Sequence, residues 1–205
     1  MLNALQAMGG GKCSFSWEAG GAVLSMQGLG GDFTTPSEPM YLGNAGTAAR
    51  FLTTCATLIK ESGKASVLTG DRRMKERPIK DLTDALLAVG CSIDHLESEA
   101  SLPIRVHSTG LKGGLIELSG KVSSQFVSSV LISAPYAQAA VTIKLKERPV
   151  SQSYIDMTTS LMGQFGIQVE RVDELTYNVR RGATHAYTHT HMRTRAAQPR
   201  THGAH

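Results

Sequence analysis

The residues best suited to chemistry sit in short polar bends ahead of apolar stretches. Arg72, Arg73, Lys75 and Arg77 crowd the run GDRRMKERP (70–78), whose own acids are Asp71 and Glu76, leaving a surplus of two positive charges. A guanidinium grips phosphate or carboxylate through two parallel hydrogen bonds, so this bend suits an anionic ligand; a solvated charged turn is the plainer account. Two further bends, Gly43-Asn44-Ala45-Gly46-Thr47 and Ser123-Ser124-Gln125, stand before helical patterns. The first N–H groups of a helix have no partner within it and lie at its positive end, and glycines and hydroxyls let an oxyanion come close. Ordinary capping uses the same residue types. Two such cradles suggest a doubly anionic ligand set.

Other candidates carry less. GGGKCS (9–14) lacks the GxxxxGK[ST] spacing of a phosphate loop, because Cys13 follows the lysine. His95 and His107 have no serine or cysteine at a recognised spacing, and no pair of carboxylates stands at a catalytic one. Met157, Met162 and the phenylalanines fall at helical spacing and read as core.

The elements that must hold these bends repeat. With an offset of 76, RPIKDLTDALLAVGCSI (77–93) aligns with SYIDMTTSLMGQFGIQV (153–169), each an amphipathic helix stopped by glycine and followed by a strand. With an offset of 75, AARFLTTCATL (48–58) aligns with SSQFVSSVLIS (123–133), Phe51 over Phe126. SVLTG (66–70) and AVTIKL (140–145) are β-rich runs between the helices, and a further strand is expected at GLIELSG (114–120) in the first unit and LTYNV (175–179) in the second. The opening MLNALQAMG, FSWEA and AVLSMQGLG read as the closing half of a third copy, so the domain is expected to start upstream of Met1. This alternation predicts helices packed on sheets, α/β or α+β.

With 205 residues, 41% of them apolar and 19% charged, the chain reads as a soluble protein with a sizeable core, and neither a spanning helix nor a signal peptide is predicted. Three cysteines without a CxxC pair (Cys13, Cys55, Cys91) fit a reducing, cytoplasmic setting. The net charge of +4 is local: Arg180, Arg181, Arg193, Arg195 and Arg200 lie in an acid-free end, and without them 16 basic face 17 acidic side chains, a net of −1. The body therefore carries no field for nucleic acid, and membrane contact is not expected either. Residues 180–205 hold five of the seven histidines and no Leu, Ile, Val or Phe, so a disordered tail is predicted there. His185, His189, His191, His202 and His205 match no closed metal site.

The motifs YLGNAGTAARFLTT (41–54), LTGDRRMKERPIKDLTDAL (68–86), KVSSQFVSSVLISAPYA (121–137) and VSQSYIDMTTSLM (150–162), in this order and spacing, closely resemble the 5-enolpyruvylshikimate-3-phosphate synthases, above all the synthase section of fungal pentafunctional arom polypeptides. The resemblance runs over residues 1–179. It implies a transferase that moves the enolpyruvyl group of phosphoenolpyruvate to the 5-hydroxyl of shikimate 3-phosphate, releases phosphate on the route to chorismate, and uses no metal or organic cofactor. The implied fold is an inside-out α/β barrel of two lobes, each of three βαβαββ units around inward-facing helices, this chain being one partial lobe of about two and a half units.

By the same resemblance, Asn44, Gly46 and Arg73 face phosphoenolpyruvate, and Ser123, Ser124, Gln125, Ser151 and Tyr154 face shikimate 3-phosphate, with Arg50 and Arg77 in support. The family's lysine-serine-arginine loop is expected upstream. Its general-base aspartate, a second acidic group and two further anion-binding basic residues are expected downstream, in the second lobe or another part of a larger polypeptide. No catalytic residue is identified in the chain itself. Two alternatives stand beside this reading. A UDP-N-acetylglucosamine enolpyruvyl transferase would place a reactive cysteine in a loop, and neither Cys55 nor Cys91 lies in a comparable one; an inactive remnant or ligand-binding fragment would bind without turnover.

Overall fold

The computed structural model describes residues 1–121, 123–182 and 192–195. The chain opens with α1 (Leu2–Met8), β1 (Ser14–Glu18) and β2 (Val23–Gln27). The first full unit is β3 (Met40–Tyr41), α2 (Gly46–Ala56), β4 (Lys60–Thr69), α3 (Lys80–Ala88), β5 (Ile93–His95) and β6 (Ile104–Thr109). The second is β7 (Gly114–Leu118), α4 (Ser124–Ser133), β8 (Val141–Leu145), α5 (Gln152–Gln164), β9 (Val169–Arg171) and β10 (Thr176–Val179), and β11 (Met192–Arg195) comes last.

Both units have the order βαβαββ and the same sheet. The strands lie as β3-β4-β6-β5 and as β7-β8-β10-β9, with a parallel opening pair and antiparallel partners beyond it. A parallel pair needs a crossover, which α2 and α4 supply. The opening α1, β1 and β2, up to Gln27, have the helix–strand–strand order of the closing half of such a unit. In its sheet β11 runs antiparallel beside β2, the place that β4 and β8 take beside β6 and β10.

One strand assignment is corrected. GLIEL does not close the first unit but opens the second, parallel to β8 in a register running from Gly114↔Val141 to Leu118↔Leu145. The first unit closes with Ile104–Thr109, whose buried face is Ile104, Val106 and Ser108 while Arg105 and Thr109 are exposed. With two aliphatic residues in six, that strand is far weaker as a pattern than the apolar run after it. The expected disorder of 180–205 falls mainly on residues outside those described, as do His185, His189, His191, His202 and His205; the described Met192–Arg195 is a strand.

The core forms where α2 and α4 lie side by side. Helix α4 is buried nearly all round, through Phe126, Val127, Ser128, Ser129, Val130 and Leu131, as expected of an inner helix. Helix α2 meets it through Thr47, Arg50 and Thr54 and buries the small residues Ala48, Ala49, Thr53 and Ala56. Thr54 Oγ1 and Ser129 Oγ pair across the two helices at 2.9 Å, sparing each the roughly 1–3 kcal/mol that a buried unpaired hydroxyl costs. Helix α3 buries Leu82, Ala85 and Leu86 and packs over β7. No helix among the described residues is long and apolar enough to cross a membrane, and Cys13, Cys55 and Cys91 are free thiols.

Candidate functional site

Parallel strands send their connections out at one end, so each opening pair delivers two loops to the same edge. In the first unit these loops are laced together. Leu42 N–H donates to the Thr69 carbonyl at 2.9 Å and Asp71 N–H to the Gly43 carbonyl at 3.1 Å. Asp71 Oδ1 accepts from Met74 N–H at 2.9 Å, folding the arginine-rich bend into a tight turn anchored by the buried Met74. Arg77 then reaches back: its Nη1 donates to the Asn44 carbonyl at 3.3 Å. The guanidinium lies against Gly46, where a Cβ would stand 2.5 Å from Nη1 and 2.7 Å from Cζ. Glycine at 46 thus makes room for Arg77 at the tip of α2, a tip that no side chain caps.

The bend's other cations differ in their partners. Arg72 faces Glu76 and Lys75 faces Glu97, both on the surface. Arg73 is exposed; its carbonyl accepts from Glu76 N–H at 3.3 Å, but its guanidinium has no hydrogen bond or ion pair among the described residues. Held by the turn yet free at its tip, it can take an incoming anion without first leaving an acid.

The second unit repeats the lacing with different residues. Val150 N–H donates to the Gly120 carbonyl at 3.0 Å, and the Glu147 carboxylate accepts from the Ser119 hydroxyl and from Lys121 N–H at 3.3 Å. The Ser119 hydroxyl is the main reason the Glu147 carboxyl titrates below the ordinary 4.5, with the Lys121 N–H helping. A depressed folded-state pKa means stability that is complete above the unfolded value and lost as pH falls through the folded one. Glu147→Gln is therefore expected to flatten the acid arm of a stability–pH curve as pH falls through and below the ordinary carboxylate range; urea midpoints taken across that arm check it, and an unchanged slope would remove the clamp.

The two units meet at Gln125. Arg50 Nη1 donates to its Oε1 at 2.6 Å, and its Nε2 donates to Thr47 Oγ1 at 3.1 Å, so one amide joins the tips of α2 and α4. Arg50 lies over the Phe126 ring, 5.4 Å from its centroid, and its pKa is lowered by burial and then by the Arg77 charge. Ser123 caps α4 in extended conformation, its Oγ accepting from Gln125 N–H at 3.2 Å, and Ser124 follows, half-buried, as the first helical residue. Ser151 stands at the start of α5 and caps nothing with its side chain. Tyr154, 51% exposed, faces the same groove as Thr47 and Gln125.

The structure thus sets two hydrogen-bonded groups at the tip of α2, Arg77 with Asn44 and Gly46, and Arg50 with Gln125 and Thr47, with Ser123 and Ser124 at the start of α4. Arg73 lies on the neighbouring turn, and Ser151 and Tyr154 belong to the start of α5. A groove of about 530 Å³ runs along α2, α4 and α5, but among the residues assigned above only Gln125 and Tyr154 line it; the anion face is open surface. The Thr47 link and the Ser119–Glu147 clamp were not foreseen. The 75-residue spacing of Arg50 and Gln125 marks them as equivalents, which was the available signal for the first.

The chain matches the family model for EPSP synthase (3-phosphoshikimate 1-carboxyvinyltransferase) over residues 1–193. It is 52% identical over 184 residues to the pentafunctional AROM polypeptide of Schizosaccharomyces pombe, an alignment taking in 87% of this chain and 12% of that polypeptide. Two solved structures of EPSP synthase from Acinetobacter baumannii resemble it with a TM-score of 0.71 at 24% identity, each over 88% of this chain and 38% of the other. That likeness carries the α/β fold of repeated units, over one lobe of two. Because the family match spans nearly the whole described chain, on a fold it shares with solved members, the chain belongs to the EPSP synthase family.

Proposed function

We propose that residues 1–179 form one substrate-binding lobe of a 3-phosphoshikimate 1-carboxyvinyltransferase within a larger cytosolic polypeptide. In this reading Arg73, Asn44 and the Gly46 tip hold phosphoenolpyruvate, while Ser123, Ser124, Gln125, Ser151 and Tyr154 hold shikimate 3-phosphate. The observation that carries it is the Gln125 bridge, which puts two helix amino-termini side by side beneath a surplus of guanidinium charge. Two anionic substrates bound there lie next to each other, as addition of a hydroxyl to an enol phosphate, followed by loss of phosphate, requires. The attacking hydroxyl must lose a proton and the substrate methylene must gain one, and we assign those acid–base groups to polypeptide outside this chain.

Two experiments test this. The purified chain, given both substrates, is expected to release no phosphate, whereas the lobe joined to its second lobe releases it; turnover by the chain alone would overturn the division of labour. In the two-lobed enzyme Arg73→Ala is expected to weaken phosphoenolpyruvate binding by about 1.5–3 kcal/mol, the contribution of a charged hydrogen bond. Titration calorimetry reads it, and unchanged affinity would take Arg73 out of the site.

A further inference from the structure

Helix α5 starts one turn earlier than its counterpart in the first unit. At the offset of 76, Lys80, the first residue of α3, aligns with Asp156, yet α5 begins four residues sooner, at Gln152. The aligned stretch of the first unit, 76–79, is turn and bend. The added turn carries Tyr154 to the groove it shares with Thr47 and Gln125, and it puts Ser151 at its head.

A first helical turn needs something to hold it, because its N–H groups have no partner within the helix and its end opens readily. Capping does not supply the hold here. Ser123 closes α4 with its own hydroxyl, which accepts from Gln125 N–H, whereas the Ser151 hydroxyl caps nothing.

The hold comes from Gln152. Its Nε2 carries two protons and uses both, one on Asp156 Oδ1 at 2.7 Å, a turn further along α5, and one on Tyr177 Oη at 2.9 Å. Among the described residues, the bond to Tyr177 is the one side-chain hydrogen bond from the first turn of α5 to another element. Tyr177 is itself well fixed. It is 1% exposed on β10, opposite Ile143 of β8, and the Arg171 guanidinium lies over its ring, 5.8 Å from the centroid. Arg171 in turn donates to the Asp173 and Glu174 carbonyls at 3.3 and 3.4 Å. In the first unit the strand in the place of β10 is β6, Ile-Arg-Val-His-Ser-Thr, which has no phenol, so the tyrosine and the early helix start occur in the same unit. The body of α5 is tied separately, Thr158 Oγ1 pairing with Ser128 Oγ of α4 at 2.7 Å. Loss of the Tyr177 bond therefore loosens the first turn and leaves the rest of the helix in place.

We infer that Tyr177 and Gln152 are positioning residues: a buried phenol on β10 sets, through the Gln152 amide, where Ser151 and Tyr154 stand. This rests on the assignment of Ser151 and Tyr154 to shikimate 3-phosphate made above. It adds that affinity for this one substrate depends on a hydroxyl too deeply buried to touch it. Phosphoenolpyruvate, assigned to Asn44, Gly46 and Arg73 of the other unit, should not feel the change.

Tyr177→Phe in the two-lobed enzyme removes one buried oxygen and leaves the ring in its packing. It is expected to raise the KM for shikimate 3-phosphate about fivefold, the effect of one ordinary hydrogen bond, with kcat and the KM for phosphoenolpyruvate unchanged. Amide exchange should quicken over 152–156 and stay slow over 158–164. Gln152→Leu should act alike, and the double variant should do no more than Gln152→Leu alone, since both changes delete the same bond. Ser151→Ala, measured alongside, tests the site itself and should also raise the KM for shikimate 3-phosphate. If Ser151→Ala raises it and Tyr177→Phe does not, the site stands and the positioning role is overturned. If Ser151→Ala leaves it in place, the site reading fails and the positioning role falls with it. A rise in both KM values with a lower kcat and faster exchange throughout α5 would make Tyr177 a residue of stability alone, which also overturns the proposal.

Discussion

Phe126→Ala is expected to cost about 3–5 kcal/mol of folding free energy, the range for deleting a buried aromatic ring. Phe126 is 1% exposed on the inner helix α4, so no solvent stands ready to fill its place. The ring also carries the Arg50 guanidinium at 5.4 Å, and losing that cation–π contact adds about 0.5–2 kcal/mol for a partly desolvated pair. Set against a typical total of about 5–15 kcal/mol for a domain, the loss is a large part of the whole. The effect is not confined to stability. Arg50 is the donor that holds Gln125 across the two helix tips, and without the ring below it the guanidinium loses one of its two constraints. Phe51→Ala makes the useful comparison, since Phe51 has the same position in the repeat but lies half-buried on the groove and should cost well under half as much. Urea unfolding followed by circular dichroism measures both. Equal losses would mean that α4 is no more interior than α2, and the account of the core would fail.

That pair of phenylalanines also shows how far the sequence could be read. Their equivalence was visible in the alignment at offset 75, and with it the helix–strand alternation, because apolar spacing is a local property. What aligned residues do to one another is not local. An offset says that Arg50 and Gln125 hold equivalent places; only the closeness of the two parallel helices makes one the hydrogen-bond donor of the other. The same limit hid Arg77. Its charge was plain, but its place against Gly46 depends on the turn that Asp71 closes and on the lacing of two loops 27 residues apart in sequence, Gly43 to Gly70. Strand β6 was missed for a different reason: one face of it is covered by helix and the other carries Arg105, His107 and Thr109, so six residues hold too little apolar signal to be seen. Residue types that advertise chemistry, the arginine-rich bend and the serine and glycine helix starts, were legible because their composition departs from that of ordinary helix and strand.

The lacing itself can be broken with one methyl group. A Cβ at Gly120 would stand 2.3 Å from the Glu147 carbonyl oxygen and 3.0 Å from both the Arg148 carbonyl carbon and the Pro149 Cα. All three are backbone atoms, so no side chain can swing aside. In the first unit the same close approach is made from the other loop, where a Cβ on Gly70 would stand 2.6 Å from the Gly43 oxygen. Both exits from the parallel strand pairs thus use a glycine to bring two loops within hydrogen-bonding reach, on opposite partners. Gly120→Ala is expected to cost about 3 kcal/mol, the upper end for overpacking, because relief requires the two loops to part. Parting them breaks the Val150 to Gly120 bond and draws Glu147 away from Ser119 and Lys121, and with it the starts of α4 and α5 that carry Ser123 and Ser151. Gly163→Ala is the control, the same chemical change in the last turn of α5 with nothing within 4 Å of the new carbon. There alanine should stabilise by about 0.5–1 kcal/mol, since glycine gives up more backbone freedom on folding. Urea midpoints of the two variants should therefore move in opposite directions. If Gly120→Ala instead shifted the midpoint upward as Gly163→Ala does, the loops could not be packed backbone to backbone, and the helix starts they carry would lose their common anchorage.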